Sequence, residues 1–373
     1  MTLSPDAAIL LTGVLVAVAA APLGLFLVLR GAAMLTDAVS HAVLPGIVLV
    51  WLATGAVSGL LPMFGAVAAG LATVALVALA ERSRLMAGDA AVGLVFPALF
   101  ALGVLLVNLY ARDVHIDADA VLLGEIGLVW LETRSLFGLD LPAAAVPLIA
   151  VAAVNFAVVG LLWKELKLSS FDPVLAAAMG FRPGLLHLLL FALTAATAVA
   201  AFDAVGVILF VAFVAVPPAT ALLLTDRPGR ALGLAVVLAV VAAVAGQAIA
   251  VGWNISIGGM MAVATGLPFL LALLAAPRNG VLARLARRRQ ERLDHDCRAL
   301  AAHLLSHRGA PDEAEENTAR ALREHLRWPP ARAERVILRA LDRGLIRREG
   351  ARLELTEKGM AEAGALFDPT RRG

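Results

Sequence analysis

The sequence predicts an all-α polytopic membrane protein with about nine transmembrane helices and a C-terminal α+β winged helix-turn-helix domain. Three observations support this fold class. The 373-residue chain is 61% hydrophobic, whereas about half of the residues in a typical soluble protein are apolar. Long apolar stretches follow one another as far as residue 277. Of the 31 Lys and Arg residues, 20 lie beyond residue 280, which indicates a membrane domain followed by a basic soluble domain.

The apolar stretches are long enough to cross a membrane as helices. About 20 predominantly apolar residues span the core of a bilayer. Candidate spans occur at residues 7–29, 35–53, 60–80, 90–110, 141–163, 184–202, 204–224, 230–252 and 258–276. The second is the weakest candidate because it contains Asp37, His41 and Pro45.

The charges between these stretches predict how the chain is oriented. With nine spans and the N-terminus outside, the inner loops hold eight basic residues and the outer loops hold only Arg112 and Arg134. This distribution satisfies the positive-inside rule. It predicts a multi-pass membrane protein whose C-terminal domain lies in the cytoplasm.

One predicted span carries two ionisable residues in its middle. Ionisable side chains inside a span cost several kcal/mol and are therefore functional candidates. Asp37 and His41 are four residues apart, so they project from the same face of a helix. A carboxylate oxygen and an imidazole nitrogen are suitable ligands for manganese, zinc or ferrous iron. The spacing is equally compatible with a structural pair that binds no metal.

The composition changes after the last apolar stretch and predicts three segments. Residues 1–277 form the transmembrane domain, and residues 278–290 form a basic juxtamembrane linker suited to anionic lipid headgroups. Residues 291–373 form a small cytoplasmic domain. Its apolar periodicity predicts three helices, followed by two short strands around a turn at Glu349 and Gly350 and then a closing helix.

Basic residues of this small domain are candidate contacts for DNA or protein. They are Arg332, Arg335 and Arg339 on the third helix, with Arg347 and Arg348 beside the strand turn. This set is suitable for phosphate contacts. A domain anchored to a membrane has to bring DNA to the bilayer, however, so regulation through protein contact is favoured. Residues 294–297 include metal-ligand types, but consecutive helical residues point in different directions and cannot all bind one ion.

Several motifs in the membrane domain resemble one known family. Residues 31–46 read GAAMLTDAVSHAVLPG and resemble the GDALSHAVLPG-like signature of the ABC-3 family of manganese, zinc and iron importer permeases. Thr36 stands where that family usually has glycine. Further likenesses follow in collinear order at residues 87–93, 122–126, 170–180 and 216–220. The small domain resembles winged-helix domains of the metal-dependent repressor type.

The resemblance implies roles for particular residues and partners. Asp37 and His41 would line the translocation path and contact the ion, which is a substrate and not a permanently bound cofactor. The segment that couples transport to ATP hydrolysis would include Phe171, Asp172, Pro173, Ala176 and Gly180. The implied partners are an ABC ATPase subunit, a second permease protomer and an extracytoplasmic metal-binding protein. The implied location is the bacterial inner or plasma membrane.

The local sequence of the proposed coupling segment predicts a short helix. Asp172 followed by Pro173 is a typical helix start, and Gly180 is a typical residue after a helix end. No lysine follows glycine in the manner of a P-loop, so ATP hydrolysis is predicted to belong to a separate subunit and the chain is predicted not to be an enzyme.

Two other functions are compatible with parts of the sequence. One is a membrane-tethered, metal-responsive regulator that acts through its winged-helix domain. The other is a proton-coupled secondary transporter, which typically has internal repeats. A regulator would not need the segment around residues 170–182, and no convincing repeat is present in the sequence.

Overall fold

A computed structural model describes residues 3–56, 60–83, 88–110, 126–136, 139–311 and 313–367. The chain divides into two compact units, Met1–Gly280 and Val281–Gly373. This boundary lies close to the predicted end of the membrane domain at residue 277. The two units are described separately below.

The first unit is almost entirely helical. Its helices are α1 (Pro5–Leu29), α2 (Ala33–Thr54), α3 (Leu60–Arg82), α4 (Gly88–Tyr110), α5 (Ala145–Leu161), α6 (Trp163–Phe171), α7 (Pro173–Ala178), α8 (Pro183–Leu224), α9 (Pro228–Trp253) and α10 (Ile257–Ala275). A short antiparallel hairpin, β1 (Thr133–Leu136) with β2 (Leu139–Pro142), precedes α5. The apolar start of the predicted fifth span, residues 141 and 142, therefore lies in a strand, and α5 begins only at Ala145.

Six helical segments of the described chain are long and apolar enough to cross a membrane. They are Pro5–Leu29, Ala90–Tyr110, Pro183–Phe202, Ala204–Leu224, Pro228–Trp253 and Ile257–Ala275. A seventh span results if α5 and α6, which are bent by 72°, are counted together. The apolar parts of α2 and α3 are shorter, at Ala42–Thr54 and Phe64–Ala80. A polytopic helical membrane fold is confirmed, whereas the count of nine spans stays a prediction.

Helix α8 contains two of these segments, and its path changes at Gly206. That residue has φ 71° and ψ 172°, a combination that glycine adopts much more readily than other residues. The backbone of Gly206 is not helical, so α8 consists of two helices joined at a kink. Each of its two parts is long enough to span a bilayer.

Helix α1 lies at the centre of the first unit. It packs against α8, α9 and α5, and the side chains from Val16 to Leu27 are largely buried. Gly24 lets α8 approach closely, because a Cβ atom at this position would lie 1.9 Å from the carbonyl oxygen of Val214. Small residues at helix contacts are the usual means of close packing in membranes.

Buried polar side chains also connect the helices of the first unit. The Asn155 amide on α5 donates to the Ala19 carbonyl and to the Thr197 hydroxyl, both at 2.9 Å. The Gln247 amide on α9 donates to the Asp6 carbonyl at 2.8 Å. Since a buried donor without a partner is costly, these bonds give both residues a structural role.

The second unit combines helices with one two-stranded sheet. Its elements are α11 (Val281–Ser306), α12 (Glu313–Glu316), α13 (Ala319–His325), α14 (Pro330–Asp342), β3 (Ile346–Glu349), β4 (Arg352–Leu355) and α15 (Glu357–Phe367). The strands are antiparallel, with Ile346 opposite Leu355, and Gly350 in the turn has φ 63°. Helix α11 begins at Val281, so residues 281–290 of the predicted linker are helical. The structure contains the three predicted helices, the two strands and the closing helix in the predicted order, and the short helix α12 is an additional element. The assignment as a winged helix stays a prediction.

A compact core holds the second unit together. Leu300 and Leu304 of α11 pack with Val336 of α14 and with Leu345 and Leu353 around the sheet, and all five are almost fully buried. Helices α11 and α14 are amphipathic, as their sequences predict, because one apolar face of each covers this core.

Candidate translocation and coupling site

Helix α2 carries the predicted metal ligands Asp37 and His41. The backbone is helical from Ala33 to Thr54, so residues 37 and 41 lie on the same face of α2. The side chains of both residues lie outside the part of the chain that the structure describes. Their role as metal ligands therefore stays a prediction.

The part of α2 that follows His41 is packed tightly against two neighbours. A Cβ atom at Gly46 would lie 2.1 Å from the carbonyl oxygen of Gly65 on α3, and one at Gly103 on α4 would lie 2.8 Å from Cδ of Pro45. Backbone atoms of α2, α3 and α4 thus meet with almost no side chain between them. This contact fixes the position of α2 one turn beyond the predicted ligands.

The predicted coupling segment contains a short helix with the expected start and end. Asp172 is the N-cap of α7, and its Oδ1 accepts a hydrogen bond from the Leu175 backbone N–H at 2.9 Å. Pro173 occupies the first helical position. Gly180 has φ 88°, a conformation that ends helices and favours glycine. The predicted start and end of the helix in this segment are confirmed, whereas its contact with an ATPase stays a prediction.

Helix α7 and the residues beside it expose an apolar surface. The exposed fractions are 60% for Phe171, 79% for Val174 and 62% for Met179, whereas Ala176 is fully buried. Ala176 packs α7 against the rest of the first unit, and the opposite side of the helix is exposed. We refer to Phe171, Val174, Leu175 and Met179 as the α7 apolar surface.

Arg30 connects the end of α1 to the segment immediately before α7. Its Nε donates to Ser170 Oγ at 3.0 Å, and its Nη2 donates to Ser169 Oγ at 2.5 Å. Its Nη1 also lies 3.3 Å from His187 Nδ1 on α8. Three helices therefore meet at one guanidinium group. The sequence does not single out this residue, because a basic residue at the end of a span is ordinarily interpreted as an orientation signal.

The five predicted DNA or protein contacts in the second unit differ in their surroundings. Arg332 makes a two-pronged ion pair with Asp296, at 2.9 and 2.7 Å, and Arg339 lies 3.7 Å from Asp294. Nε of Arg335 donates to the Ala331 carbonyl at 3.0 Å. Arg347 and Arg348 are exposed on β3. The acidic partners of Arg332 and Arg339 reduce the positive potential that attracts phosphate.

The same contacts occupy the carboxylates among residues 294–297, which include metal-ligand types. The carboxylates of Asp294 and Asp296 are engaged by arginines. Cys297 is fully buried, and burial raises the pKa of its thiol to about 11. A protonated thiol is a poor metal ligand, since the thiolate is the form that binds.

Comparison with known proteins identifies the first unit. A family model described as the ABC 3 transport family matches residues 7–276. The chain belongs to the ABC 3 transport family. The resemblance that the sequence motifs predict is thereby confirmed, and the match extends over nearly the whole of the first unit.

Individual members of the ABC 3 transport family are similar over long stretches. The zinc transport system membrane protein TroD of Treponema pallidum is 44% identical over 360 residues, which cover 96% of this chain and 98% of that protein. The manganese transport system membrane protein MntD of Bacillus subtilis is 43% identical over 286 residues, or 76% of this chain and 97% of that protein. The similarity to TroD therefore takes in most of the second unit, whereas that to MntD covers about the length of the first.

A solved structure supports the polytopic permease fold. The chain is similar to a chain of PsaBC from Streptococcus pneumoniae in complex with Fab, with a TM-score of 0.62 and 27% sequence identity. This similarity covers 73% of the present chain and 92% of the other. The alternative of a membrane-tethered regulator receives no support from these relatives.

Proposed function

We propose that the chain is the permease subunit of an ATP-driven importer for a divalent transition-metal ion, which is manganese, zinc or iron. The observation that carries this proposal is the family match over residues 7–276, combined with relatives whose names state zinc and manganese transport. A third relative, YfeC of Yersinia pestis, is 32% identical and is named as a membrane protein of a chelated iron transport system. The ion is the substrate, and it arrives from an external metal-binding protein.

The translocation path is proposed to pass the face of α2 that carries Asp37 and His41. One carboxylate and one imidazole supply an oxygen and a nitrogen ligand of the type that manganese, zinc and ferrous iron accept. A transport site has to bind the ion well enough for it to enter, but weakly enough for it to leave. Two ligands on one helix, with the rest supplied by water or a second permease protomer, meet this requirement.

The ATPase subunit is proposed to bind at the α7 apolar surface. Four large apolar side chains are exposed there, on a segment that connects α6 with α8. Arg30, Ser169 and Ser170 attach this segment to α1, so a rigid-body movement of α7 would be passed to the helices of the first unit. The N-terminus is proposed to lie outside the membrane, and α7 and the second unit in the cytoplasm, in agreement with the positive-inside rule.

The second unit is proposed to regulate the transporter through contact with the ATPase subunits, not through DNA. Two of the three arginines on α14 that would contact phosphate are paired with aspartates. Breaking such a pair on binding would offset part of the gain from a phosphate contact. A winged-helix fold remains our interpretation of this unit.

The test is reconstitution of transport. The chain is placed in proteoliposomes with its ATPase and binding protein, and uptake of radiolabelled manganese, zinc and iron is measured with ATP or with a non-hydrolysable analogue. We expect uptake of at least one of these ions that requires ATP hydrolysis. An assembled complex that hydrolyses ATP but takes up none of the three ions would contradict the proposal, and uptake without ATP would favour a secondary transporter.

A further inference from the structure

Four potential metal ligands meet in the second unit, outside the regions discussed above. They are His303, His307, Glu316 and His325, and one ligand atom from each lies within 4.8 Å of the others. We refer to these four residues as the histidine cluster. Three separate elements contribute to it, namely α11, the end of α12 and the end of α13.

The local structure explains why these side chains come together. His303 lies in the last turn of α11, and His307 directly follows the end of that helix at Ser306. The His307 backbone N–H donates to the His303 carbonyl at 3.3 Å, so the two side chains lie on the same side of the chain. Thr318 caps the start of α13 by accepting a hydrogen bond from the Ala321 backbone N–H at 3.2 Å. Leu322, fully buried in the core, anchors α13 so that His325, one turn later, lies over α11.

The distances within the histidine cluster are short for side chains that carry like charges when protonated. The ring centres of His303 and His307 are 4.8 Å apart, and those of His303 and His325 are 5.7 Å apart. Nδ1 of His325 lies 2.7 Å from Oε2 of Glu316.

Two buried atoms of the cluster have no hydrogen bond within the described chain. One is Oε2 of Glu316, which lies 2.7 Å from Nδ1 of His325. The other is Nε2 of His303. Buried polar atoms without partners are rare in folded proteins and cost free energy. A bound cation would provide the missing partner and would also remove the repulsion between closely spaced rings.

We infer that the histidine cluster is a binding site for a divalent transition-metal ion, with zinc preferred over manganese. Three imidazole nitrogens and one carboxylate oxygen make a four-ligand set of the kind that zinc adopts. Imidazole-rich sites hold zinc more tightly than manganese. A tetrahedral zinc ion keeps its ligand atoms about 3.3 Å apart, so ligand atoms that now lie within 4.8 Å of one another have to move closer together to bind it.

The inference does not depend on transport by the first unit. It gives the second unit a means of responding to the concentration of free metal ion on its own side of the membrane. Metal occupancy of the cluster would connect α11 with α13, two elements whose relative position determines the shape of this unit.

The test measures metal binding by the full chain in lipid nanodiscs, without partner proteins. All variants carry the Asp37→Ala and His41→Ala substitutions, so that the proposed transport site does not contribute. Cobalt(II), which replaces zinc in tetrahedral sites, is titrated and its visible absorption recorded, and bound zinc is counted after equilibrium dialysis. We expect one equivalent of zinc per chain and the intense cobalt bands of a tetrahedral site. Manganese should compete at least tenfold less well.

Matched variants separate the cluster from other histidines. His303→Ala/His307→Ala should lose the cobalt bands and the zinc equivalent, whereas His295→Ala, an exposed residue on the same helix, should retain both. Because a variant may unfold, Glu316→Gln and the exposed His325→Ala are also tested, and unfolding midpoints are compared in EDTA. Zinc should raise the midpoint only where the cluster is intact. Absence of tetrahedral bands in the parent chain, or their persistence in all cluster variants with unchanged affinity, would overturn the inference.

Discussion

Individual side chains in this protein divide into those that hold helices together and those available for chemistry. Asn155 and Gln247 are polar residues within predicted spans, and each donates a hydrogen bond to a backbone carbonyl of α1. Their amide N–H groups thus connect helices, whereas both amide oxygens are buried without a hydrogen-bond partner in the described chain. Asp37 and His41 are the pair that we propose contacts the transported ion.

The first prediction concerns this pair. Replacing Asp37 and His41 together with alanine should abolish ATP-dependent metal uptake, because the path then lacks both the carboxylate and the imidazole. Uptake of radiolabelled ion into proteoliposomes measures the effect, and co-purification with the ATPase subunit measures assembly, which should be unchanged.

Val39→Ala is the matched control for the pair. Residue 39 is two positions from each proposed ligand and therefore lies on the opposite side of α2. This variant should transport at close to the normal rate. Normal uptake by the double variant would show that the pair is not needed for transport.

Helices of the first unit meet through glycine at several points, and these contacts decide how closely the helices pack. Gly246 on α9 is one such contact, because a Cβ atom there would lie 2.4 Å from Cα of Met261 on α10. Gly233 belongs to the same helix, yet a Cβ atom there meets nothing within 4 Å. The two glycines form a natural comparison within one helix.

The second prediction follows from this comparison. Gly246→Ala should destabilise the first unit by about 1–3 kcal/mol, the usual cost of overpacking a close contact. Gly233→Ala should stabilise the unit by about 0.4–1 kcal/mol, because alanine loses less conformational entropy than glycine in a helix. Thermal unfolding in nanodiscs measures both, and equal midpoints for the two variants would contradict the close approach of α9 to α10.

The third prediction concerns the α7 apolar surface. Val174→Asp should weaken binding of the ATPase subunit at least tenfold, because a charge would be placed on an apolar contact. The chain itself should fold normally, since Val174 is 79% exposed. Affinity is measured by titrating the ATPase subunit against the permease in nanodiscs.

Val174→Leu is the control for this substitution, because it keeps the position apolar. It should bind the ATPase with nearly unchanged affinity. If Val174→Asp binds equally well, the ATPase contacts a different part of the chain.

At the scale of the whole molecule, the sequence predicts the positions of the helices along the chain better than it predicts where they bend. Apolar length places a helix at each predicted span, because the hydrocarbon core requires about 20 apolar residues. Hydropathy carries no information about bends, so neither the 72° angle between α5 and α6 nor the break at Gly206 follows from it. The boundary between the two units is also predictable, since apolar and basic composition change there.

The proposed functional sites also differ in how far the sequence predicts them. The proposed coupling helix is predictable because Asp172, Pro173 and Gly180 are local signals for a helix start and end. The histidine cluster is not, because Glu316 and His325 reach α11 only through tertiary packing. The four-residue spacing of His303 and His307 is a local signal in the sequence, whereas nothing local places Glu316 and His325 beside them.

The hydrogen bonds of Arg30 have a mechanical consequence if α7 is the coupling helix. Arg30 lies seven residues before Asp37 and is bonded to Ser169 and Ser170, which immediately precede the α7 segment. The connection between the ATPase contact and the proposed ion ligands is thus one side chain, the turn at residues 30–32, in which Gly31 has φ 67°, and the first turn of α2. Because this linkage is short, a movement of Ser169 and Ser170 reaches the start of α2 through few residues. A flexible insertion at residue 31 would lengthen this linkage. It would leave the α7 apolar surface and the proposed ion ligands intact, but a movement of α7 would no longer displace α2.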